Sequence, residues 1–596
     1  MNSMRNALLA ATLLGTGALL AADPYVGYIY PASVQAGTTT RLIVGGQNLK
    51  GVQSFNISGA GVRVVKTELV PGFPSPAGSQ RRHLRNWLDH IAADDRAEPP
   101  LPANAKTDEW RANSWWSTLG TLDDDQLAIV ERNLYTPRNP LQASPSLRQM
   151  MFVTVVVAPD AQPGRRTVIA ESPAGLAAPR PLLVTREPHV VEPRYQAPHR
   201  KQPATPAADV RTGAVVLDGQ IMPGETDAFE LTLAGGRAYA FTVTGRELQP
   251  YIGDAVPGFF NPSATLKDAD GKIVAFADDE SRFQPDPILR FTPPKDGTYR
   301  LEIHDVLYRG RADFVYTILV DDFKARQPQP ADGVVAAKGA VATQTFTIDA
   351  PGPRVLEVTA RRRGSPLDAV LTLKKTKDGP VLAQWDDVTN KVFMGTVPQG
   401  ECDPIGTYTF AEAGTYLAEI TDRTGNGGPD YAWWLDVRRP NPGFAVFSTR
   451  STLPLVRGVP LKIDFRITRQ DGFDGDVTLE APKGCGFTDS VITGGVDRLS
   501  TSLVFKGRGS LDTAPCQLFA RAEIGGKTVR VPVVPCDEYE QAFAWKHLVP
   551  ADAFMLRTRA GGKGAAPARG KGAKGKGTVP GKRPVSSFPS RSSKLI

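Results

Sequence analysis

The feature that most constrains this fold is an internal repeat, in which residues 330–440 repeat residues 209–325. Matching positions recur at an offset of 117: Phe229 with Phe346, Gly297-Thr298-Tyr299 with Gly414-Thr415-Tyr416, and Glu302, Ile303 and Asp305 with Glu419, Ile420 and Asp422. In the middle of the repeat the offset is 108, where Asp270-Gly271 and Asp278-Asp279 match Asp378-Gly379 and Asp386-Asp387. Two copies with compensating loop lengths indicate one β-domain used twice.

The second copy resembles the bacterial pre-peptidase C-terminal (PPC) domain at four motifs: Ser365-Pro366-Leu367-Asp368, Asp378-Gly379, Asp386-Asp387 and Gly414-Thr415-Tyr416. At the first of these positions the other copy has Asn261-Pro262-Ser263-Ala264. The resemblance implies that each copy is a small jelly-roll-like β-sandwich. Such domains occur in exported bacterial proteins, with or without a peptidase beside them.

The region before the repeat, residues 23–186, resembles an IPT/TIG immunoglobulin-like domain. The resemblance rests on the following segments: Tyr30-Pro31, Gly37-Thr38-Thr39, Gly46-Gln47-Asn48-Leu49, Pro163-Gly164 and Pro173-Ala174-Gly175-Leu176. A helical insertion over about 80–135 interrupts the strand pattern, because apolar residues there recur at helical spacing. We expect one helix near Asp108, and another that begins at a capping box of Asp123 and Gln126.

The remaining boundaries follow from composition. Proline and polar residues over 187–208 indicate a linker, and short alternating apolar runs in 441–560 predict a further Ig-like sandwich with a C-terminal extension. The sequence therefore predicts a mainly β protein of tandem Ig-like and jelly-roll-like sandwiches, with one helical insertion in the first. The whole order resembles exported multidomain proteins of the planctomycete and verrucomicrobial type.

The N-terminus predicts export. Residues 1–22 carry one cation, Arg5, before an apolar run from Ala7 to Ala22, which is typical of a signal peptide. No other stretch has 18 apolar residues, so we expect no transmembrane span after cleavage. The localisation expected is periplasmic, cell-surface or extracellular. Hydrophobic residues at 41% and charged residues at 22% exclude a mainly disordered or multi-span membrane protein.

The net charge of +8 belongs to one segment. Residues 561–596 hold six lysines, three arginines and no acidic residue, and their glycine-rich composition predicts a disordered tail. The tail is either a solvated linker or a contact to anionic envelope polymers. The rest of the chain is not basic, so we expect no specific nucleic-acid partner.

An exported chain can form disulfides, and four cysteines allow three pairings. Cys485, Cys516 and Cys536 lie in one late region, whereas Cys402 lies apart. We predict a Cys485–Cys516 disulfide, because both residues should belong to the same β-domain. No two cysteines have the close spacing of a zinc site.

The acidic turns of the repeat are candidate Ca²⁺ ligands, because they supply several hard oxygen atoms. The candidates are Asp268, Asp270, Asp278, Asp279, Asp378, Asp386 and Asp387. The alternative is a structural role, since Asp often bonds the backbone amides of its own turn. Apart from Ca²⁺ we expect no cofactor.

Trp115 and Trp116 belong to a group of four tryptophans between positions 87 and 116. They are either ligand-binding aromatics or the core of the helical insertion.

The sequence contains no H-E-x-x-H zinc helix and no G-x-S-x-G elbow. We therefore predict a secreted, non-enzymatic protein that binds an extracellular polymer, either polysaccharide or protein, through loops on rigid sandwiches. Two alternatives remain. One is an accessory or unrecognised hydrolase, or a peptidase-associated protein. The other is a cell-surface spacer.

Overall fold

The computed structural model describes residues 23–101, 111, 114–135, 144–193, 203–249, 258–278, 286–323, 331–390, 399–541 and 545–559. Within them the chain forms four β-sandwiches in sequence, with one helical insertion in the first. The predicted fold class is confirmed. The expected signal peptide and the basic tail lie outside the described residues.

The first sandwich packs two four-stranded sheets around one apolar core. Its strands are β1 (Tyr25–Tyr30), β2 (Ser33–Gln35), β3 (Thr39–Gln47), β4 (Ser54–Ile57), β5 (Val62–Leu69), β6 (Gln149–Val157), β7 (Gly164–Glu171) and β8 (Arg180–Thr185). The sheet orders are β1-β3-β6-β5 and β2-β8-β7-β4. β6 is largely buried because it lies between β3 and β5, which explains its continuous apolar run.

The helical insertion joins β5 to β6 and contains α1 (Gly78–Ala92) and α2 (Asp124–Tyr135). The predicted capping box is present. The Gln126 amide donates to the Asp123 carboxylate, and the Asp123 amide donates to the Gln126 side-chain oxygen, both at 3.0 Å. The insertion has its own apolar core, formed by Leu84, Trp87, Leu88, Trp116, Leu119, Leu122, Val130 and Leu134. The helix expected near Asp108 lies outside the described residues.

The second sandwich begins with β9 (His189–Val191), in the segment that the sequence analysis assigned to a linker. β9 pairs in parallel with β11. The other strands are β10 (Ala208–Asp209), β11 (Val215–Gln220), β12 (Asp227–Leu233), β13 (Tyr239–Thr244), β14 (Pro262–Lys267), β15 (Ile273–Ala277), β16 (Ile288–Phe291), β17 (Gly297–Asp305) and β18 (Val315–Asp322). They form sheets of order β10-β12-β17-β14-β15 and β16-β13-β18-β11-β9.

The third sandwich repeats this topology. Its strands are β19 (Gly333–Val334), β20 (Ala342–Ile348), β21 (Gly352–Thr359), β22 (Ala369–Lys374), β23 (Val381–Trp385), β24 (Asp387–Asn390), β25 (Gln399–Phe410), β26 (Gly414–Asp422) and β27 (Ala432–Arg438). The order β20-β26-β22-β23 corresponds to β12-β17-β14-β15, and the same register shift occurs near the end of β14 and of β22.

The fourth sandwich uses the C-terminal segment as part of its core. Its strands are β28 (Gly443–Ser448), β29 (Thr452–Val456), β30 (Leu461–Gln470), β31 (Val477–Glu480), β32 (Cys485–Phe487), β33 (Val491–Ile492), β34 (Arg498–Phe505), β35 (Leu511–Cys516), β36 (Phe519–Ile524), β37 (Lys527–Pro532), β38 (Cys536–Gln541), β39 (Trp545–Pro550) and β40 (Phe554–Arg559). β40 lies between β29 and β35, and its Phe554 and Leu556 join the apolar core.

The first two sandwiches meet through a small apolar cluster that includes Tyr28 and Ala32 from the first and Met222 and Val315 from the second. Beside this cluster lies a buried polar contact. The Ser33 hydroxyl donates to the Asp218 carboxylate at 2.7 Å, and His189 Nδ1 lies 3.1 Å from the same carboxylate. The contact satisfies a buried charge, which would otherwise be costly.

The fourth sandwich returns to the first, so the four sandwiches form a closed array. The Arg180 guanidinium of β8 is buried, donates to the Tyr539 hydroxyl of β38 and donates to the Gly27 carbonyl at 3.2 Å. Nearby, the Asp552 carboxylate accepts hydrogen bonds from the hydroxyls of Ser58 and Thr167.

The two remaining junctions are polar. Between the second and third sandwiches, the Arg290 guanidinium donates to the Gly364 carbonyl at 2.9 Å. Between the third and fourth sandwiches, the Arg438 guanidinium pairs with the Asp471 carboxylate at 2.5 Å. The next residue, Arg439, lies 2.8 Å from the Asp349 carboxylate of the third sandwich. No helix among the described residues is long and apolar enough to cross a membrane.

We predict that replacing Arg180 by Met destabilises the protein by about 3 kcal/mol, because the buried Gly27 carbonyl and Tyr539 hydroxyl lose their guanidinium donor and Asp537 loses one of two nearby positive charges. Thermal unfolding measures the loss, and amide exchange should increase selectively in β38 and β39. The exposed Arg300→Met is the control and should change stability by roughly 0.5 kcal/mol or less. Equal effects of the two substitutions would contradict a special role for Arg180.

Candidate functional site

Three carboxylates meet at one end of the third sandwich. Side-chain oxygens of Asp368, Asp386 and Asp387 all lie within 4.8 Å of one another. The antiparallel pairing of β22 with β23 brings them together, since Asp368 precedes β22 and the other two follow β23. Asp386 and Asp387 were among the predicted ligands, whereas Asp368 was recognised only as part of a family motif.

The electrostatics of this cluster favour an added cation. Burial raises the pKa of Asp368, and the charge of Asp422 acts in the same direction, although Arg361 opposes it. Burial also raises the pKa of Asp387, with the charge of Asp368 as the next cause. Arg423 contacts Asp386 and supplies part of the compensating charge. Ca²⁺ takes roughly six to eight oxygen ligands, so backbone carbonyls and water would have to complete the shell.

The other predicted acidic residues lie apart from this cluster or outside the description. The Asp268 carboxylate accepts hydrogen bonds from the amides of Asp270 and Lys272, which closes the β14–β15 turn. Asp270 and Asp378 are exposed in the corresponding turns of the two repeats. Asp279 lies outside the described residues.

The strand register corrects the alignment of the two repeats at this position. The sequence analysis aligned Asn261-Pro262 with Ser365-Pro366 through their prolines. In the strand ladders, however, Pro262 pairs with Asp305, and Ala369 pairs with the equivalent residue Asp422. Asn261, not Ala264, therefore occupies the position of Asp368. Asn261 is 8% exposed, and its Oδ1 accepts no hydrogen bond from any described residue. An amide oxygen is a suitable Ca²⁺ ligand.

The two candidate tryptophans lie within or against the insertion core. Trp116 is buried, and its indole N–H donates to the Pro74 carbonyl at 3.0 Å. Trp115 stacks on Phe152 of β6 with ring centroids 6.2 Å apart. In this conformation Trp116 is therefore not available to a ligand, and Trp115 fixes the insertion on the first sandwich.

The two predicted disulfide partners are free thiols in this structure, as is Cys536. Burial raises the pKa of Cys516 to about 12, and the charge of Cys485 contributes in the same direction. The two thiols therefore lie within electrostatic range of each other, in the same apolar core.

A cavity of about 450 Å³ lies where the first sandwich, α2 and the second sandwich meet. Sequence reasoning did not identify it. The polar groups in its lining include Tyr30, Arg41, Arg132, Gln220, Glu192 and Glu225. Its volume falls within the usual range for small-molecule sites.

Three carboxyl groups, of which Asp227 is buried and Glu192 and Glu225 are half-buried, converge at this cavity. The Tyr30 hydroxyl donates to Glu192 at 3.1 Å, Glu192 and Asp227 share a hydrogen bond, and the Tyr316 hydroxyl donates to Asp227 at 2.6 Å. Burial, followed by the charge of Asp227, raises the pKa of Glu192 well above its usual value. Burial also raises the pKa of Asp227. Two carboxyl groups that share a hydrogen bond hold one proton between them.

Glu225, Arg132 and Asp125 also line the cavity, and Asp125 lies 3.4 Å from Arg41. Burial and the charge of Asp227 raise the pKa of Glu225 to about 7, although Arg132 and a hydrogen bond from the Met222 amide oppose the shift. Arg132 Nη1 lies 3.3 Å from the Gln220 side-chain oxygen and 3.8 Å from the Met222 sulfur.

One surface loop, the turn after β17, has different residues from its counterpart in the third sandwich. The Asp305 carboxylate accepts hydrogen bonds from the amides of Leu307 and Arg309, both at 3.1 Å, and so fixes the turn after β17. Leu307 and Tyr308 are each 62% exposed, and Tyr308 has a φ of 53°. The His304 ring stacks on Tyr308 at a centroid distance of 4.5 Å.

The third sandwich makes the same turn with different residues. Asp422 accepts hydrogen bonds from the amides of Thr424 and Asn426, and Gly425, at a φ of 73°, takes the place of Tyr308. A non-glycine residue in this left-handed region costs about 1–2 kcal/mol. The second sandwich therefore exposes an aromatic ring at a position where glycine would be less strained.

Comparisons with known proteins give no family. No protein-family model and no curated protein matches the chain. Among solved structures it is similar to the four N-terminal Ig domains of Dscam1 isoform 6.44, with 10% identity and a TM-score of 0.16 over 90% of this chain and 99% of that one. For Dscam1 isoform 4.4 the identity is 10% and the TM-score 0.12, over 64% and 84%. Similarity at these scores carries no argument about function.

We predict that the chain folded under oxidising conditions contains a Cys485–Cys516 disulfide. Closing this loop should stabilise the protein by roughly 3–4 kcal/mol relative to the reduced form. Peptide mapping without reduction identifies the pair, and thermal unfolding with and without reductant gives the stabilisation. Cys536→Ser should preserve the linked peptide, whereas a link from Cys402 to either residue would contradict the pairing.

Proposed function

We propose that this chain is an exported, non-enzymatic binding protein that recognises an extracellular polymer, a glycan or a protein, through loops carried on rigid sandwiches. The observation that carries this proposal is the loop 304–309, in which hydrogen bonds to Asp305 hold Leu307 and Tyr308 in solvent despite the strained φ of Tyr308. Strain of this kind persists where a function requires it. Exposed aromatic rings are common in recognition surfaces because they offer a large contact area with few rotamers.

The domain assignments belong to the same proposal. We assign the first sandwich to the IPT/TIG type, with a signal peptide before it, and the second and third to the PPC type. The common sheet order of the second and third sandwiches supports one domain used twice. The basic tail is proposed to contact anionic envelope polymers, a role that its nine basic residues support.

We also propose that Ca²⁺ binds the Asp368–Asp386–Asp387 cluster and stabilises the neighbouring loops. Three close carboxylate oxygens support this assignment. In the second sandwich Asn261 and Asp278 occupy the positions of Asp368 and Asp386.

A hydrolase remains the second candidate, because the hydrogen-bonded pair Glu192–Asp227 lies beside a cavity. Paired carboxyl groups are the usual catalytic groups of glycoside hydrolases. Asp227, however, is 6% exposed and lies behind Glu192, which favours a role in binding.

We predict that Ca²⁺ raises the melting temperature and that a chelator lowers it. At a hundredfold excess over the dissociation constant the stabilisation is about 2.7 kcal/mol. The double variant Asp386→Asn, Asp387→Asn should lose the part of the shift that this cluster contributes, whereas Asp270→Asn, in an exposed turn, should keep the whole shift. If Ca²⁺ and chelator leave the melting curve unchanged, the acidic residues are structural turn formers.

We predict that the chain without its proposed signal peptide is retained on at least one of peptidoglycan, cellulose and collagen, and that Leu307→Thr with Tyr308→Gly abolishes retention. The replacements are the residues that the third sandwich has in the same turn, so the variant should be at least as stable as the wild type. Val381→Thr, which removes another exposed apolar side chain, should retain binding.

Three outcomes would contradict this prediction. Retention that survives the double substitution would place the binding surface elsewhere. No retention of the wild type on any polymer would favour the spacer. Release of soluble sugars or peptides from the polymer would identify a hydrolase.

A further inference from the structure

The junction cavity is enclosed by groups from three parts of the chain. The first sandwich contributes Tyr30 and Ile43, and α2 contributes Ile129 and Arg132. The second sandwich contributes the end of β9 and the turn between β11 and β12. Both flanking contacts, the Tyr28–Met222 cluster and the Ser33–Asp218 hydrogen bond, are buried. The cavity therefore lies beside two buried contacts that join the first sandwich to the second.

The cavity has an excess of negative charge. Glu192 and Glu225 line it, and Asp227 lies directly behind Glu192. Of the two arginines in the lining, Arg41 is 2.6 Å from the Asp123 carboxylate. Arg132, the other, lowers the pKa of Glu225. Full ionisation of Glu192, Glu225 and Asp227 would exceed the single charge of this guanidinium, and uncompensated charge is costly where solvation is poor.

The remaining wall is apolar and suits the hydrocarbon part of a ligand. Pro31, Ile43, Ile129, Val191 and Met222 all contribute to it. A volume of about 450 Å³ is far more than a bare metal ion requires. Within the described part of the chain, three carboxylates close enough to hold a metal occur in the third sandwich and not here.

We propose that this cavity binds a small organic amine, whose ammonium group is held by Glu192 and Glu225 and whose hydrocarbon body packs against Ile43, Val191 and Met222. An ammonium group donates three hydrogen bonds and supplies a full positive charge. When it binds, the proton that Glu192 and Asp227 otherwise share is released to solvent, and the Tyr30 hydroxyl continues to donate to Glu192. Amino sugars and lysine side chains carry this group, as do polyamines.

The test uses three five-carbon probes that differ only in their polar end: 1-pentylamine, 1-pentanol and pentanoate. Calorimetry and ligand-observed NMR on the full mature chain measure their affinities near neutral pH. We expect the amine to bind at least about tenfold more tightly than the alcohol, because hydrogen bonds to charged groups are the stronger ones. Pentanoate should not bind.

Two variants locate the site. Glu192→Gln and Glu225→Gln keep the side-chain shape and should each weaken amine binding by about tenfold or more. Glu230→Gln, in β12 of the same sandwich but outside the cavity lining, should leave it unchanged. Melting curves show whether each variant folds, and the comparison of the three probes on the wild type remains decisive if one does not.

Several results would overturn the proposal: equal binding of amine and alcohol, tighter binding of pentanoate, displacement of the amine by Ca²⁺, or full amine affinity in both Glu variants. This site is independent of the polymer surface. Leu307→Thr with Tyr308→Gly should therefore leave amine affinity unchanged, so that failure of one proposal is distinguishable from failure of the other.

Discussion

The buried guanidinium of Arg180 determines how the whole chain is arranged. It joins the first sandwich to β38, which follows some 350 residues later in the chain, and it is supported there by the rings of Tyr25 and Tyr539. A string of sandwiches with open ends could bend at each linker. Here the last strands return to the first sandwich, so movement at one junction requires movement at the others. The cavity between the first and second sandwiches lies at one of these linked junctions.

Local sequence patterns predict the sandwiches well, because strand alternation and turn residues depend on neighbours along the chain. The same holds for the capping box at Asp123. The junctions could not be predicted, since Ser33 meets Asp218, and Ser58 meets Asp552, across separations that leave no local periodicity. The alignment of the repeats failed at one point for a related reason. The sequence alignment matched the two prolines, but the hydrogen-bond ladder fixes the register and makes Asn261 the equivalent of Asp368.

The carboxyl groups of the junction cavity lower the stability of the folded protein, and this loss is an argument that the cavity binds a ligand. A carboxyl group whose pKa is raised on folding holds its proton in the folded state above the pH at which the unfolded chain loses it. Its contribution to stability is therefore lost as the pH rises from the ordinary value of 4.5 to about 7 for Glu225. Glu192 and Asp227 shift in the same direction. Apolar residues at these positions would avoid the loss, so the carboxyl groups are better explained by a ligand than by packing.

Comparison of the two repeats distinguishes the residues that fix the turns from the residues that the loops expose. Both fix the turn after the long strand with one aspartate, Asp305 or Asp422, and both place a bulge at the same position in the edge hairpin. On this common frame the second sandwich carries Asn261 and an exposed Tyr308, where the third carries Asp368 and Gly425. Scaffold residues and loop residues are therefore under different constraints. A replacement of Asp305 would remove the turn itself, whereas a replacement of Tyr308 by glycine removes only the exposed ring and relieves strain. The ring is thus retained at an energetic cost that the sister repeat avoids, and this cost is the physical argument for proposing the recognition surface on the second sandwich.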